Sequence, residues 1–262
     1  MHESIDSMTS AVGKTIIRIS QGNLSFARIG EGKSNEIVYE SYNMNRSISL
    51  VANLREAFQT SDLLKDGDEE ALVLVDSNQL LIPESEFAEE QTDTLYGHTF
   101  TETNNEVKLF DELPALNVKV VYSLNKDLKH LIEEHFSNVC YSSLCVPVWN
   151  AFYHRTGNSP QRKLFGYFHD KKLEVFAFSQ KRFKFCNTYA VTHVNDVLYF
   201  LLFVWEQLAF DQEKDELFIA GSVPNEEWLA AQLRRYIQRV SFVSSDSESV
   251  PYDISLLRPE NH

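Results

Sequence analysis

The sequence predicts an α/β protein of two lobes that share one order of elements. Residues 163–221 carry the plainest pattern. Three apolar-aromatic runs, KLFGYFHD, KKLEVFAFS and RFKFCNTYAV, are joined by two short polar turns and read as a strand meander. THVNDVLYFLLFVWEQLAF follows as an almost wholly apolar helix, expected to be sandwiched in the core, and DELFIAG as a buried strand ending at Gly221. The second observation is that residues 14–76 give the same order: three short strands, a helix, a strand. The third is composition. A chain of 262 residues that is 43% hydrophobic and 12% aromatic is long enough for one large domain or two smaller ones with real cores.

Taken in order, residues 1–12 are polar and expected to be disordered. Residues 14–20, 23–30 and 35–42 read as strands, with turn residues Gln21-Gly22 and Gly30-Glu31-Gly32 between them. Ser47 is placed to cap a helix through residue 60, with Ile48, Val51, Leu54 and Phe58 at helical spacing. ALVLVD is a continuous apolar run, as a strand buried on both faces requires. LLIPESEF reads as a short strand stopped at Pro83, then a helical turn. Residues 84–105 form an insertion whose acidic, Thr-rich part, 89–105, is expected to be an exposed excursion.

VKVVYSLN then reads as a strand and KDLKHLIEEHF as an amphipathic helix with Leu128, Leu131, Ile132 and Phe136 on one face. NVCYSSL is a strand, and PVWNAFYH a helix begun by Pro147. RTGNSPQRK is rich in turn formers and reads as a linker, which sets the lobes at residues 1–156 and 157–262. Past Gly221, residues 225–238 read as a helix and 240–243 as a last strand. Residues 244–262 are expected to be a loosely ordered tail.

Charge is uneven. Residues 1–156 carry 12 Lys+Arg against 24 Asp+Glu, net −12; residues 157–262 carry 12 against 14, net −2; together these give the chain's −14. An acidic surface of this kind repels nucleic acid and anionic membranes. The cysteines Cys140, Cys145 and Cys186 form no CxxC pair, which fits a reducing compartment. The apolar run 197–205 is far short of the ~20 residues of a membrane span. The expectation is a soluble, cytoplasmic protein with no membrane span.

The doubled order, a meander followed by alternating helices and strands, resembles the RNase H-like lobes of the actin-like ATPase fold, the superfamily of sugar kinases, Hsp70 and actin. More narrowly, SLVANLREAF, ALVLVDSNQLLIPESEF, VKVVYSLNKDLKHLIEEHF and LYFLLFVWEQLAFDQEKDELFIAG resemble an uncharacterised bacterial family with that fold, itself similar to the pilus-assembly ATPase PilM. The resemblance implies where nucleotide would bind. In active members the first hairpin of each lobe supplies an Asp for Mg²⁺ and water, and glycines through which backbone N–H groups approach phosphate.

Here the first hairpin, IRISQGNLSF, keeps Gly22 but has Arg18 or Ser20 where the Asp belongs. The second, GYFHDKKLEVFAF, has Asp170 at its tip, but Lys171 and Lys172 replace the glycines. The nucleoside turn, IAGSVPNEEW, keeps Gly221 alone of two adjacent glycines. The implied remnant of a nucleotide site is therefore Gly22, Asp170, Lys171 and Gly221, with no catalytic residue, metal or cofactor expected.

Other chemistry is thinner. Gly13-Lys14-Thr15 lacks the partner glycine of a phosphate loop, since position 8 is Met8. His130, His135, Cys140 and Cys145 recur every five residues, a spacing of about 500° on a helix, so they share no face for zinc. Asp76 at a strand end reads as a turn residue. Lys171, Lys172, Lys181 and Arg182 decorate hairpin turns, and their aromatic neighbours Phe176, Phe178, Phe183 and Phe185 alternate as core. The expected function is a binding or scaffolding protein, with an unknown protein partner, on a fold that has lost ATPase chemistry. The alternatives are weak phosphotransfer, or nucleic-acid association through those four cations.

Overall fold

A computed structural model describes residues 11–20, 22–30, 35–65, 69–101, 105–156, 161–179, 182–243 and 249–259. The chain divides into two compact units, residues 1–147 with 256–262, and residues 148–255.

The first unit is built on a five-stranded sheet. Strand β1 (Thr15–Ser20) pairs antiparallel with β2 (Asn23–Ile29), and β2 with β3 (Ile37–Tyr42). Helix α1 (Leu50–Thr60) begins where the Ser49 hydroxyl accepts the Ala52 N–H at 3.2 Å, two residues beyond the expected cap. The fully buried Asn53 side chain ties α1 to the preceding loop, accepting the Asn45 N–H at 2.7 Å and donating to the Asn45 carbonyl at 3.0 Å. The short α2 (Asp62–Lys65) leads into β4 (Glu70–Val75), which lies parallel to β1 with Ile17 opposite Val73 and Ile19 opposite Val75.

The chain then leaves this sheet for a second one. It forms β5 (Gln79–Pro83), α3 (Thr92–Thr99), β6 (Glu106–Leu113) and β7 (Val118–Asn125), with sheet order β5-β7-β6. Helix α4 (Lys126–His135) is capped by Asn125, whose side-chain oxygen accepts the N–H groups of Asp127 and Leu128 at 3.0 and 3.1 Å. Strand β8 (Asn138–Ser143) completes the main sheet in the order β3-β2-β1-β4-β8. Ile17, Ile19, Val73 and Val75 meet Leu54, Ala57, Leu128 and Ile132 in one core.

The insertion departs from expectation. Residues 89–105 were expected to be exposed, yet α3 lies among them and Tyr96 is 2% exposed. The reason is the extra sheet: Ile82 and Val121 need cover, and Tyr96, Phe87 and Phe100 supply it. The Tyr96 hydroxyl keeps its polarity satisfied by donating to the Asn78 carbonyl at 2.8 Å.

The second unit contains α5 (Val146–Thr156), apart from its first two residues. Strands β9 (Lys163–His169), β10 (Lys172–Ser179) and β11 (Arg182–Ala190) form the meander, followed by α6 (Val194–Gln207), β12 (Glu216–Gly221), α7 (Glu226–Leu233), β13 (Arg239–Val243) and the short α8 (Tyr252–Ser255). The sheet order is β11-β10-β9-β12-β13, with β12 parallel to both neighbours. It matches the main sheet of the first unit strand for strand.

Alternation gives this sheet two different faces. Leu164, Leu173, Val175 and Leu217 pack under α6 and α7. Phe165, Tyr167, Phe176 and Phe178 form an aromatic layer on the other face, against Phe152 of α5 and Tyr252 of α8. Helix α6 is not sandwiched, as its apolar sequence suggested. Val197, Leu201, Val204 and Trp205 are buried, while Tyr199 is 61% and Phe203 42% exposed. The C-terminal segment also departs from expectation. Asp253 is buried and accepts the Tyr167 hydroxyl at 2.8 Å, so residues 249–255 finish the core of this unit. Residues 1–10, expected to be disordered, lie outside the described residues; Ala11 is buried and Val12 bridges Ile29. Among the described residues no helix is long and apolar enough to cross a membrane.

Candidate functional site

The four positions of the implied nucleotide remnant sit at strand ends. The β1–β2 turn closes between Ser20 and Asn23, and Gly22 has φ +78° with open space where a Cβ would project. Arg18 and Ser20, which stand where the carboxylate would be, share one buried face of β1. The Arg18 Nη1 donates to Ser20 Oγ at 3.2 Å. Neither Arg18 nor Ser20 offers a carboxylate oxygen there.

The β9–β10 turn closes between His169 and Lys172. Asp170 (φ +43°) and Lys171 (φ +62°) are both left-handed, the signature of a two-residue type I′ hairpin. Lysine in that conformation costs about 1 kcal/mol, and its side chain points from a turn made without glycine. The Asp170 carboxylate lies 3.5 Å from His169 Nδ1, and Nε2 of the same ring lies 3.8 Å from Glu174. Glu174 in turn accepts the Thr188 hydroxyl at 2.7 Å. These groups knit the meander together.

Gly221 ends β12 opposite Phe168 with φ +94°. A Cβ built there would fall 1.9 Å from the Phe168 carbonyl oxygen. The glycine is required by the protein's own neighbouring strand, which is reason enough for its presence.

The basic turns are open, the aromatics beside them less so. Lys171 and Arg182 are exposed and Lys172 half-buried, while Lys181 lies outside the described residues. Phe176 and Phe178 are buried, and Phe183 packs edge-on against Trp149. Rings held this way offer no platform for stacking bases.

A different place in the first unit holds concave chemistry. A cleft of about 550 Å³ is lined by residues 108–112 of β6 and 138–141 of β8, with Lys14 and Glu70 at one side. Strand β8 is the edge of the main sheet, and an edge strand presents a row of backbone N–H and C=O groups. The Leu144 N–H turns inward to the Val75 carbonyl, while the Ser143 N–H turns outward and is received at 2.7 Å by Oδ2 of Asp111. The same oxygen accepts the Ser142 hydroxyl at 3.1 Å.

Asp111 therefore closes the far end of that edge. Burial raises its carboxyl to about 7, against hydrogen bonds from Ser143, Ser142 and Tyr122 that act the other way. Tyr122, on the same face of β7, is pushed well above the ordinary phenol value, first by burial and then by the Asp111 charge. A carboxyl that changes charge near neutrality in a cleft is the sort of group that functional sites arrange.

Sequence reasoning left β6 unassigned and so missed Asp111. The signal was present. Val107, Leu109, Asp111 and Leu113 fall on one face of an alternating strand, and the Asp stands in the apolar phase. A charge written into a hydrophobic register is informative in a way that an exposed Asp is not.

The repeated sheet topology defines an actin-like ATPase fold of two RNase H-like lobes. A Bacteroides thetaiotaomicron protein with actin-like ATPase fold and unknown function matches with TM-score 0.82 and 24% identity, over 99% of this chain and 100% of that one. The structure of the PilM–PilN type IV pilus biogenesis complex matches with TM-score 0.63 and 8% identity, over 95% of this chain and 98% of that one. No curated protein matches the sequence. The chain belongs to the family described as "Protein of unknown function (DUF3822)", whose model matches residues 2–240.

Proposed function

We propose that this protein is a binding module that receives an extended peptide segment of a partner protein along the free edge of β8, on a fold that no longer hydrolyses ATP. The observation that carries the reading is the cleft between β6 and the edge strand. An extended segment laid there would add a strand, taking its affinity from main-chain hydrogen bonds and its specificity from the walls. The structure of PilM as a complex with PilN supports a partner-binding role for this fold. Fold likeness alone does not carry function, so the reading stands on the cleft.

The absence of ATPase activity follows from the turns. Phosphoryl transfer depends on positioned Mg²⁺ and water. Arg18 or Ser20 stands where the carboxylate of the first turn belongs, and Lys171 removes the small profile of a phosphate loop in the second. Gly22, Asp170, Lys171 and Gly221 are then an inherited outline. Calorimetry with Mg-ATP and a phosphate-release assay are expected to show no turnover. Micromolar binding with turnover that falls in Asp170→Ala would instead make this a nucleotide enzyme.

The binding reading has its own test. The alternation set by Ser143 and Leu144 turns the Val139 N–H outward, so Val139→Pro blocks strand addition while sparing the β4–β8 ladder. A randomised library of end-blocked heptapeptides is expected to enrich on the wild type and not on Val139→Pro. Failure to enrich any peptide, or equal enrichment on both, overturns the proposal.

A further inference from the structure

We propose that the segment received by the cleft carries a lysine or arginine, that Asp111 receives its cation, and that the carboxyl proton leaves to solvent as the cation arrives. This rests on the cleft being a strand-binding site, and it names the chemistry of the strand.

The first ground is the balance of charge at the cleft. The walls bring Glu70 from β4, Glu89 from the turn before α3, and Asp111 and Glu112 from β6, against Lys14 just before β1 and Lys108 from β6. Both lysines are already held by carboxylates: Lys14 by Glu70 at 3.4 Å, and Lys108 by Glu106 at 3.3 Å, with its ammonium 4.6 Å over the Tyr96 ring. Glu112 is held by Lys119 at 2.6 Å. The phenols of Tyr122 and Tyr141 are pushed up by burial and stay neutral. An acidic guest would find both lysines already held by carboxylates, whereas a basic one would bring the charge that complements Asp111 once its proton has left.

The second ground is the placement of Asp111. It lines the cleft, and its Oδ2 is fixed by the Ser143 N–H and the Ser142 hydroxyl. The carboxyl is thus aimed and cannot swing away to water. Burial makes an anion costly here in spite of these hydrogen bonds, which is what holds the proton until a guest arrives. A guest ammonium or guanidinium supplies the missing charge, and the proton is then released. The exchange balances: a neutral carboxyl and a guest cation become an ion pair and a free proton.

Two consequences can be measured. With the carboxyl titrating at about 7, binding of a lysine peptide at pH 6 should release close to one proton. Affinity should rise about tenfold between pH 6 and pH 8, because the proton no longer has to be removed. Heptapeptides selected on the wild type at pH 8 are expected to share a lysine or arginine at one position. Those selected on Asp111→Asn should lose that preference, and those selected on Glu112→Gln should keep it, since Glu112 is held by Lys119. Calorimetry of one selected peptide in two buffers of different ionisation enthalpy counts the protons. Asp111→Asn should give a flat response from pH 6 to 8.

Enriched peptides with no basic position would overturn this inference and leave the strand-binding reading standing. So would proton release that persists unchanged in Asp111→Asn. If no peptide enriches at all, the strand-binding reading itself falls.

Discussion

Gly221→Val is expected to unfold the second unit, and Gly221→Ala to destabilise it by about 4 kcal/mol, a large part of the ~5–15 kcal/mol that a domain possesses. Two independent costs meet at this residue. The backbone sits at φ +94°, where a side chain costs about 1–3 kcal/mol before anything is touched. The added Cβ would then lie 1.9 Å from the Phe168 carbonyl oxygen and 2.9 Å from its carbon. Those atoms are backbone, so relief requires β9 and β12 to part, and β9 is the centre of the sheet. Gly22→Ala is the control, because it has φ +78° and open space, so only the conformational cost of about 1–2 kcal/mol applies. Denaturant midpoints of the two alanine variants measure the difference. Equal midpoints would mean that Gly221 is not a packing requirement and would return it to the nucleotide outline.

The fold was legible because hydrophobic periodicity and element order are local. KLFGYFHD and KKLEVFAFS declare strands by their residues alone, and the type I′ turn between them was visible as polar punctuation. The boundaries that slipped are those set by partners. Helix α1 begins at Ser49 because the Asn53 side chain pins the loop before it, which no local propensity contains. Residues 89–105 looked like an acidic excursion because the sheet that Tyr96 covers was not seen. One of its three strands, β6, alternates less cleanly, with Phe110 in its polar phase and Asp111 in its apolar one.

The functional reading slipped in the same way. The turns where the fold's chemistry belongs are local in sequence. The cleft depends on two strands far apart in sequence, since Asp111 and Ser143 are 32 residues apart and meet only in three dimensions. Gly221 shows the converse hazard. A glycine at the expected place reads as a nucleotide contact, and the structure gives it a sufficient internal cause.

Asp111→Asn is expected to abolish a pH dependence of stability that the wild type carries. The group titrates at about 7 when folded and near 4 when unfolded. Between those values the folded state holds a proton that the unfolded state has lost, so stability contributed by this group falls as pH rises. Each pH unit is worth about 1.4 kcal/mol, and the whole window about 4 kcal/mol. Below pH ~4 both states are protonated, and above ~7 both are ionised, so the slope ends at either side. Asparagine keeps a carbonyl oxygen for the Ser143 N–H and the Ser142 hydroxyl while removing the titration. Exposed carboxylates such as Asp196 and Asp211, lowered chiefly by backbone hydrogen bonds, push stability the other way with pH. They are common to both proteins and cancel in the difference. Denaturant unfolding of wild type and variant at pH 4.5, 5.5, 6.5 and 7.5 reads that difference. The variant should be the less stable or equal at pH 4.5 and gain on the wild type at each step up to about pH 7. Parallel curves would show that Asp111 is ionised throughout, and would remove the basis for a carboxyl that waits in the cleft for a cation.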